Sequence, residues 1–210
     1  TASVTFLQAL VPLKEIRVWR FSLYYVAVFG AYVALSIWLP RYYVDVYKLD
    51  LKTAALLTAL FIFPASLLRP LGGKLSDFFG PRPVMYSVFG LMSVCLIFLG
   101  APHGHIVLYV SEKYIASGQM DVMKFTLGVV PFTVLIFIVG VCMGIGKASV
   151  YKYIPEYFPN HVGAVGGLVG CLGALGGFIL PVLFTYSSVY TGIPQTCFMI
   201  VALVTISSLI

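Results

Sequence analysis

The chain has 210 residues, 60% of them hydrophobic and only 10% charged, with a mean hydropathy of +1.02. Soluble domains run at about 25% charged, so a soluble globular domain, a disordered tail and a nucleic-acid binder are excluded. The net charge of +6 rests on 13 Lys and Arg against 7 Asp and Glu, and on so apolar a chain it marks loops facing the cytoplasmic leaflet.

Long unbroken apolar runs point to an all-α polytopic membrane protein. A membrane β-barrel would show short alternating segments instead. Lys14, Glu15, Arg17 and Arg20 precede the first run, which is too long for a signal-peptide core. Six spans are predicted. The first covers 21–39 and ends at Pro40. The second covers 54–73 and is interrupted by Pro64, Arg69 and Pro70. The third covers 84–101 and ends at Pro102. The fourth covers 127–150. The fifth covers 162–186, with Pro181 near its end. The sixth covers 195–210 and is cut off at Ile210. With no Met at its start and a run truncated at its end, the chain reads as part of something longer.

Most connections are short. The longest, from Pro102 to Thr126, carries Glu112, Lys113, Asp121 and Lys124 and reads as an extramembrane excursion. An apolar patch around Val107 to Val110 is expected to lie on the bilayer surface. One side of the membrane receives Lys14, Arg17, Arg20, Lys74, Arg82 and Lys152, with Lys147 close by. The other receives Arg41, Lys48, Lys52, Lys113 and Lys124. The basic excess places the N-terminal side in the cytoplasm. Cys95, Cys142, Cys171 and Cys197 sit inside apolar runs with no CxxC pair, so they read as buried or lipid-facing thiols. His103 and His105 lack a third ligand. No metal and no cofactor are expected.

Arg69 follows an uncharged stretch from Thr53 to Leu68. An arginine inside a span costs a few kcal/mol, about 3 on insertion scales, and usually has a task or a partner. A planar guanidinium suits a planar oxyanion such as carboxylate or nitrate. The alternative is that it snorkels to the surface near Lys74. Pro64 and Pro70 favour a broken helix lining a cavity. Depth adds a second clue. Tyr25 lies five residues after Arg20, Arg69 five before Lys74, and Lys147 five before Lys152. At 1.5 Å per residue all three sit about 7–8 Å inside their nearest basic residue. Phe29 is one helical turn beyond Tyr25.

Glycine spacing is the third clue. Gly163/Gly167, Gly166/Gly170 and Gly173/Gly177 are pairs four apart, and Gly140, Gly144 and Ala148 repeat the interval. Such stripes let helix backbones approach, slide or rock. Gly176 belongs to the same glycine-rich run. Last, Gly72 to Arg82 reads as a tight charged turn in which Asp77 pairs with basic groups or caps a helix end.

That turn resembles the G-x-L-x-D-x-x-G-x-R loop of the major facilitator superfamily. Gly73, Leu75, Asp77, Gly80 and Arg82 match it. The resemblance implies a conformational latch. The stretch Gly144 to Ser149, followed by Ile154-Pro155 and the glycine run to Pro181, resembles the C-terminal signature of the nitrate/nitrite porter family (NarK-type). It covers nearly the whole chain as helices seven to twelve of a twelve-helix fold, with the N-terminal six-helix half missing. The resemblance implies alternating-access transport of nitrate or nitrite across the cell membrane, with the anion between two arginines, one from each half. Arg69 is then one of them, Phe29 a wall, Tyr25 a hydrogen-bond donor, and Gly146 and Ser149 further contacts. Lys147 stands where some members have Asn. It would add positive charge near the anion or release a proton during the cycle. Exchange and proton symport both stay open. A porter for another small anion, such as a carboxylate or cyanate, is the runner-up, and a non-transporting membrane subunit is a more distant one. No HExxH, nucleophile elbow or phosphate loop suggests an enzyme.

Overall fold

The computed structural model describes residues 10–102, 104–109 and 119–210, with backbone alone for the two segments 104–109 and 119–125. After a short turn at Val11–Lys14, helix α1 runs over Ile16–Tyr25. A π-helical segment, Val26–Gly30, carries it without interruption into α2, Ala31–Tyr47. The unit Ile16–Tyr47 is one apolar span of 32 residues. Pro40 therefore does not end it, contrary to the sequence reading. A proline inside a helix leaves one carbonyl without its amide. Without water to satisfy freed groups, continuing the helix is the cheaper course. The helix stops at Lys48, which takes a left-handed conformation (φ 56°).

Asp50 caps the next helix, α3 (Leu51–Leu67), by accepting from the Thr53 N–H at 3.0 Å. Hydrogen bonding from Thr53 holds its carboxyl below the ordinary aspartate range. The ladder breaks at Leu68, and α4 (Arg69–Phe79) leaves at 44°. Pro70 brings no N–H for the Ser66 carbonyl, which accounts for a sharp break here. The segment expected to be a tight turn from Gly72 is instead helical as far as Phe79. Only Gly80 turns, at φ 84°, a conformation that favours glycine. Pro81 then opens α5, Pro81–Gly100. Proline at a first helical position loses nothing.

The long connection holds a two-stranded antiparallel ribbon, β1 (Gly104–Tyr109) with β2 (Gln119–Phe125), bulged between Ile106 and Val107. The sequence reading did not assign it. The expected surface patch there, His103, the His105 side chain and Glu112 to Lys113 lie outside what is described. The remaining helices are α6 (Val129–Tyr157), α7 (Val162–Thr191) and α8 (Thr196–Ser207). Among the described residues, Ile16–Tyr47, α5, α6 and α7 are each long and apolar enough to cross a membrane. The bent pair α3 and α4 makes a fifth such unit, and α8 is shorter but apolar. Phe63, Leu67, Val130 and Phe178 are among many exposed large apolar side chains. An apolar exterior of this extent suits lipid rather than water.

Close backbone approach positions the break. A Cβ at Gly140 would stand 2.6 Å from the Phe61 carbonyl oxygen, and one at Gly144 would stand 2.8 Å from that of Pro64. A Cβ at Gly72 would overlap the Ile145 backbone, so both arms of the bent pair press on α6. On the other side, Gly173 and Gly176 of α7 press on Gly30, and Gly177 on Val33. Gly170 meets the Tyr151 hydroxyl, while Gly163 and Gly167 have open space around them.

Gly72→Ala is therefore expected to lower thermal stability by the cost of overpacking, about 1–3 kcal/mol. Gly73→Ala, where a Cβ meets open space, should leave the melting curve of the purified protein unchanged. Equal melting of the two variants would refute this account of the α4–α6 contact.

Candidate anion-binding site

Four elements bring cations and rings together beside the break. Arg69 is the first residue of α4 and is exposed. Its Cζ lies 5.9 Å from the centre of the Phe29 ring. Lys147 of α6 has its Nζ at 5.9 Å from the same ring. Phe29 belongs to the π-helical segment. Such a bulge shifts side chains out of the ordinary helical register and recurs at functional sites. Tyr25 stacks on Phe29 with ring centres 5.0 Å apart and planes at 14°.

The surroundings of Lys147 are unusual for a cation. It is 2% exposed. Its Nζ donates to the Ala65 carbonyl at 3.1 Å, one turn before the break. It also sits 3.1 Å from the Tyr32 ring centre. Tyr32 in turn shares a hydrogen bond with Ser66 at 3.0 Å. Among the described residues the side-chain ion pairs are Arg41–Asp45 and Lys152–Asp77. Neither reaches Lys147 or Arg69. A buried cation normally needs pairing and full hydrogen bonding. Here one carbonyl and two ring faces stand in for a carboxylate. Among the described residues the site brings two basic groups together with no carboxylate in an ion pair with either.

So Arg69, Phe29, Tyr25 and Lys147 come together as the register argument suggested. Gly146 and Ser149 do not join them. Gly146 faces Val28 and Val88, and a Cβ there would stand 2.7 Å from Val28 Cγ1. Ser149 is fully buried. It accepts from the Ser76 hydroxyl at 2.8 Å and donates to the Ile145 carbonyl at 3.0 Å. Both serve the seam between α6 and its neighbours. Sequence reasoning missed Tyr32, Ser66 and Tyr151, whose ring meets Tyr25 edge-on at 5.2 Å. Tyr151 lies four residues after Lys147, a spacing that puts the two on one face.

The residues that match the loop motif lie at one end of the bundle. Asp77 on α4 accepts from Lys152 on α6 at 2.5 Å. Arg82 at the start of α5 donates to the Tyr157 hydroxyl at the end of α6. Gly80 supplies the turn between them, and Gly73 has open space. The lower arm of the broken helix is thus tied to α6.

The family model of the Major Facilitator Superfamily matches residues 21–210. The chain is 63% identical over 198 residues to a probable nitrate/nitrite antiporter NarK1 of Thermus thermophilus, covering 94% of this chain and 44% of that protein. It is 34% identical over 192 residues to a nitrite extrusion protein of Bacillus subtilis, covering 91% and 42%. It is 30% identical over 197 residues to a probable nitrate transporter NarT of Staphylococcus epidermidis, covering 94% and 45%. The chain spans less than half the length of these curated relatives. The resemblance read from the glycine-lysine stretch of α6 is borne out by them.

If Lys147 is held at a cost to the fold, Lys147→Met should melt at or above the native temperature. Replacing a buried charge by an apolar side chain is neutral or stabilising by about 1–4 kcal/mol. Tyr32→Leu, which keeps the ammonium but removes the ring beneath it, should lose about 2 kcal/mol. A clear destabilisation of Lys147→Met would make the ammonium a structural group.

Proposed function

Because the chain belongs to the Major Facilitator Superfamily, we propose that it is the C-terminal six-helix half of a twelve-helix secondary transporter for nitrate and nitrite. One observation carries the reading. A guanidinium and an ammonium with no carboxylate partner among the described residues flank a single aromatic ring beside a broken membrane helix. The names of the relatives, a nitrate/nitrite antiporter, a nitrate transporter and a nitrite extrusion protein, support the choice of anion. The chain is multi-pass, and its relatives are transporters rather than enzymes.

A small planar anion fits the chemistry. The Arg69 fork offers two parallel N–H donors to two oxygens in one plane. Phe29 and Tyr25 bound the site with flat apolar faces. The exposed Arg69 requires a cover, which the second six-helix half would provide together with its own arginine. Enclosure removes water and strengthens each charge contact. Rocking of the two halves would then expose the anion to each side in turn. Release of the Asp77–Lys152 tie would accompany that motion. Lys14, Arg17, Arg20, Lys74, Arg82 and Lys152 favour a cytoplasmic position for the N-terminal end of this segment.

The coupling follows from Lys147. If it keeps its proton throughout, the site exchanges one anion for another. If it gives the proton up when the anion leaves, transport is proton-linked. Its burial without a carboxylate supports the second course, since Arg69 repels it once the anion is gone.

The test is counterflow of labelled nitrate into proteoliposomes holding the parent protein. Internal nitrite or nitrate alone should accelerate uptake if exchange operates. Dependence on an inward proton gradient would establish symport. Internal formate or cyanate driving counterflow while nitrate fails would transfer the assignment to another small-anion porter. Arg69→Lys should lower uptake at least tenfold, because a point charge replaces a bidentate fork. Lys147→Ala should abolish any stimulation by the proton gradient while leaving anion exchange measurable. A gradient effect that persists in Lys147→Ala would remove Lys147 from coupling.

A further inference from the structure

A basic cavity lies at the end of the bundle where α1 and α5 begin and α6 ends. It encloses about 340 Å³. Arg17 and Arg20 of α1 and Arg82 of α5 line it, together with Tyr24, Tyr153 and Tyr157. The guanidiniums of Arg17 and Arg82 both sit over the Tyr157 ring, at 5.4 and 5.5 Å from its centre. Arg20 lies 5.8 Å from the Tyr24 ring centre and donates through Nε to the Tyr24 hydroxyl at 2.6 Å. Arg20 also donates to the Ile210 carbonyl at 3.1 Å, and Arg82 to the Tyr157 hydroxyl. Three solvent-exposed guanidiniums therefore line one cavity, and none of them forms an ion pair among the described residues. Glu156 is the acidic group that acts on Arg82, from beyond ion-pair distance. Residues 1–9, which precede α1, contain no Asp or Glu.

This cavity is separate from the site beside the break. Tyr24 is one residue from Tyr25, about 100° round the helix. Tyr25 stacks on Phe29. Tyr24 packs instead on Phe89 at 5.3 Å and Tyr153 at 6.2 Å. The groups facing the cavity are donors: three guanidiniums and two phenol hydroxyls that already accept from arginine and retain their own protons. The volume is ample for an anion larger than nitrate. Guanidinium forks arriving from two helices can each grip a different edge of a tetrahedral group.

We propose that this cavity binds a phosphate group, held by Arg17, Arg20 and Arg82. Arginine forks match phosphate oxygens in pairs, and the charge of a phosphate offsets the convergence of the three cations. Two sources supply this chemistry at a membrane–water boundary. One is a free phosphate anion. The other is an anionic phospholipid headgroup, for which basic pockets between membrane helices are known receptors. A bound phosphate cross-links the ends of α1, α5 and α6. The cavity is built entirely from this chain, so the proposal stands whichever anion is transported.

The experiment uses the full parent protein in neutral detergent. One arm titrates inorganic phosphate at constant ionic strength. The other titrates phosphatidylglycerol into the micelles against phosphatidylcholine. The readouts are the melting temperature and direct binding by isothermal titration. The expected result is a saturable rise in melting temperature in at least one arm, weakened at least tenfold in apparent affinity by Arg17→Gln with Arg20→Gln. A phosphate response alone assigns a free anion, and a phosphatidylglycerol response alone assigns a headgroup. Arg17→Lys, which keeps charge and loses the fork, should weaken direct binding several-fold and serves if the double variant does not fold. No saturable response in either arm overturns the proposal. So does an affinity unchanged in both variants.

Discussion

The organisation of this chain depends on two cations that share one aromatic ring without a carboxylate. Moving an ammonium or guanidinium out of water costs several kcal/mol per ion even after the surroundings relax. The Ala65 carbonyl and the rings of Tyr32 and Phe29 offset part of this for Lys147. A desolvated cation–π contact contributes about 2 kcal/mol, and a hydrogen bond to a charged group about 1.5–3. These terms leave little surplus, and the repulsion between Arg69 and Lys147 is uncompensated. An anion placed here would complete the balance, which is the physical ground of the proposed function.

The backbone supplies that preparation. An unbroken helix would commit its carbonyls to internal bonds and leave Lys147 only a second lone pair. The break at Leu68, forced by Pro70, sits within one turn of the Ala65 carbonyl that accepts from Lys147. The glycines of α6 and α7 then let the bent pair and the π-helical segment come close enough for the side chains to meet. A Cβ at Gly140, Gly144 or Gly30 would push apart the helices that carry Phe29, Lys147 and Arg69. Small residues in α6 and α7 thus act on the anion through geometry rather than contact.

Much of this was legible in the sequence, and the reason is local chemistry. An arginine in an apolar run bracketed by prolines carries its own signal. Equal distances from terminal basic residues placed Tyr25, Arg69 and Lys147 at one level because helices climb at a fixed rise. Gly146 and Ser149 came from the resemblance alone, and the backbone turns both toward the seams of α6 with its neighbours. On α6, Lys147 faces Ala65 and Tyr32, while its immediate neighbour Gly146 faces Val28. Tyr32 lies seven residues after Tyr25 and three after Phe29, the ordinary spacing of one helical face, so its place was legible in the sequence and was passed over. Pro40 and the run Gly72 to Phe79 misled for a different reason. Their helix-breaking residues are outweighed by the absence of water, which makes any unpaired backbone group costlier than a strained helix.

Charge is also sorted along the bundle axis. The acidic side chains that form ion pairs among the described residues, Asp45 and Asp77, lie toward helix ends and meet Arg41 and Lys152 there. Among the described residues the interior holds Lys147, and Arg69 stands exposed at the break, with no acid in an ion pair with either. Had an aspartate faced Lys147, the pair would satisfy itself and the site would lose its preference for an anion. Had Lys152 lacked Asp77, the second arm of the broken helix would lose its tie to α6. The same rule therefore serves two ends. Pairing at the rim ties α4 to α6, and the lack of an ion pair within is what the proposed anion site rests on.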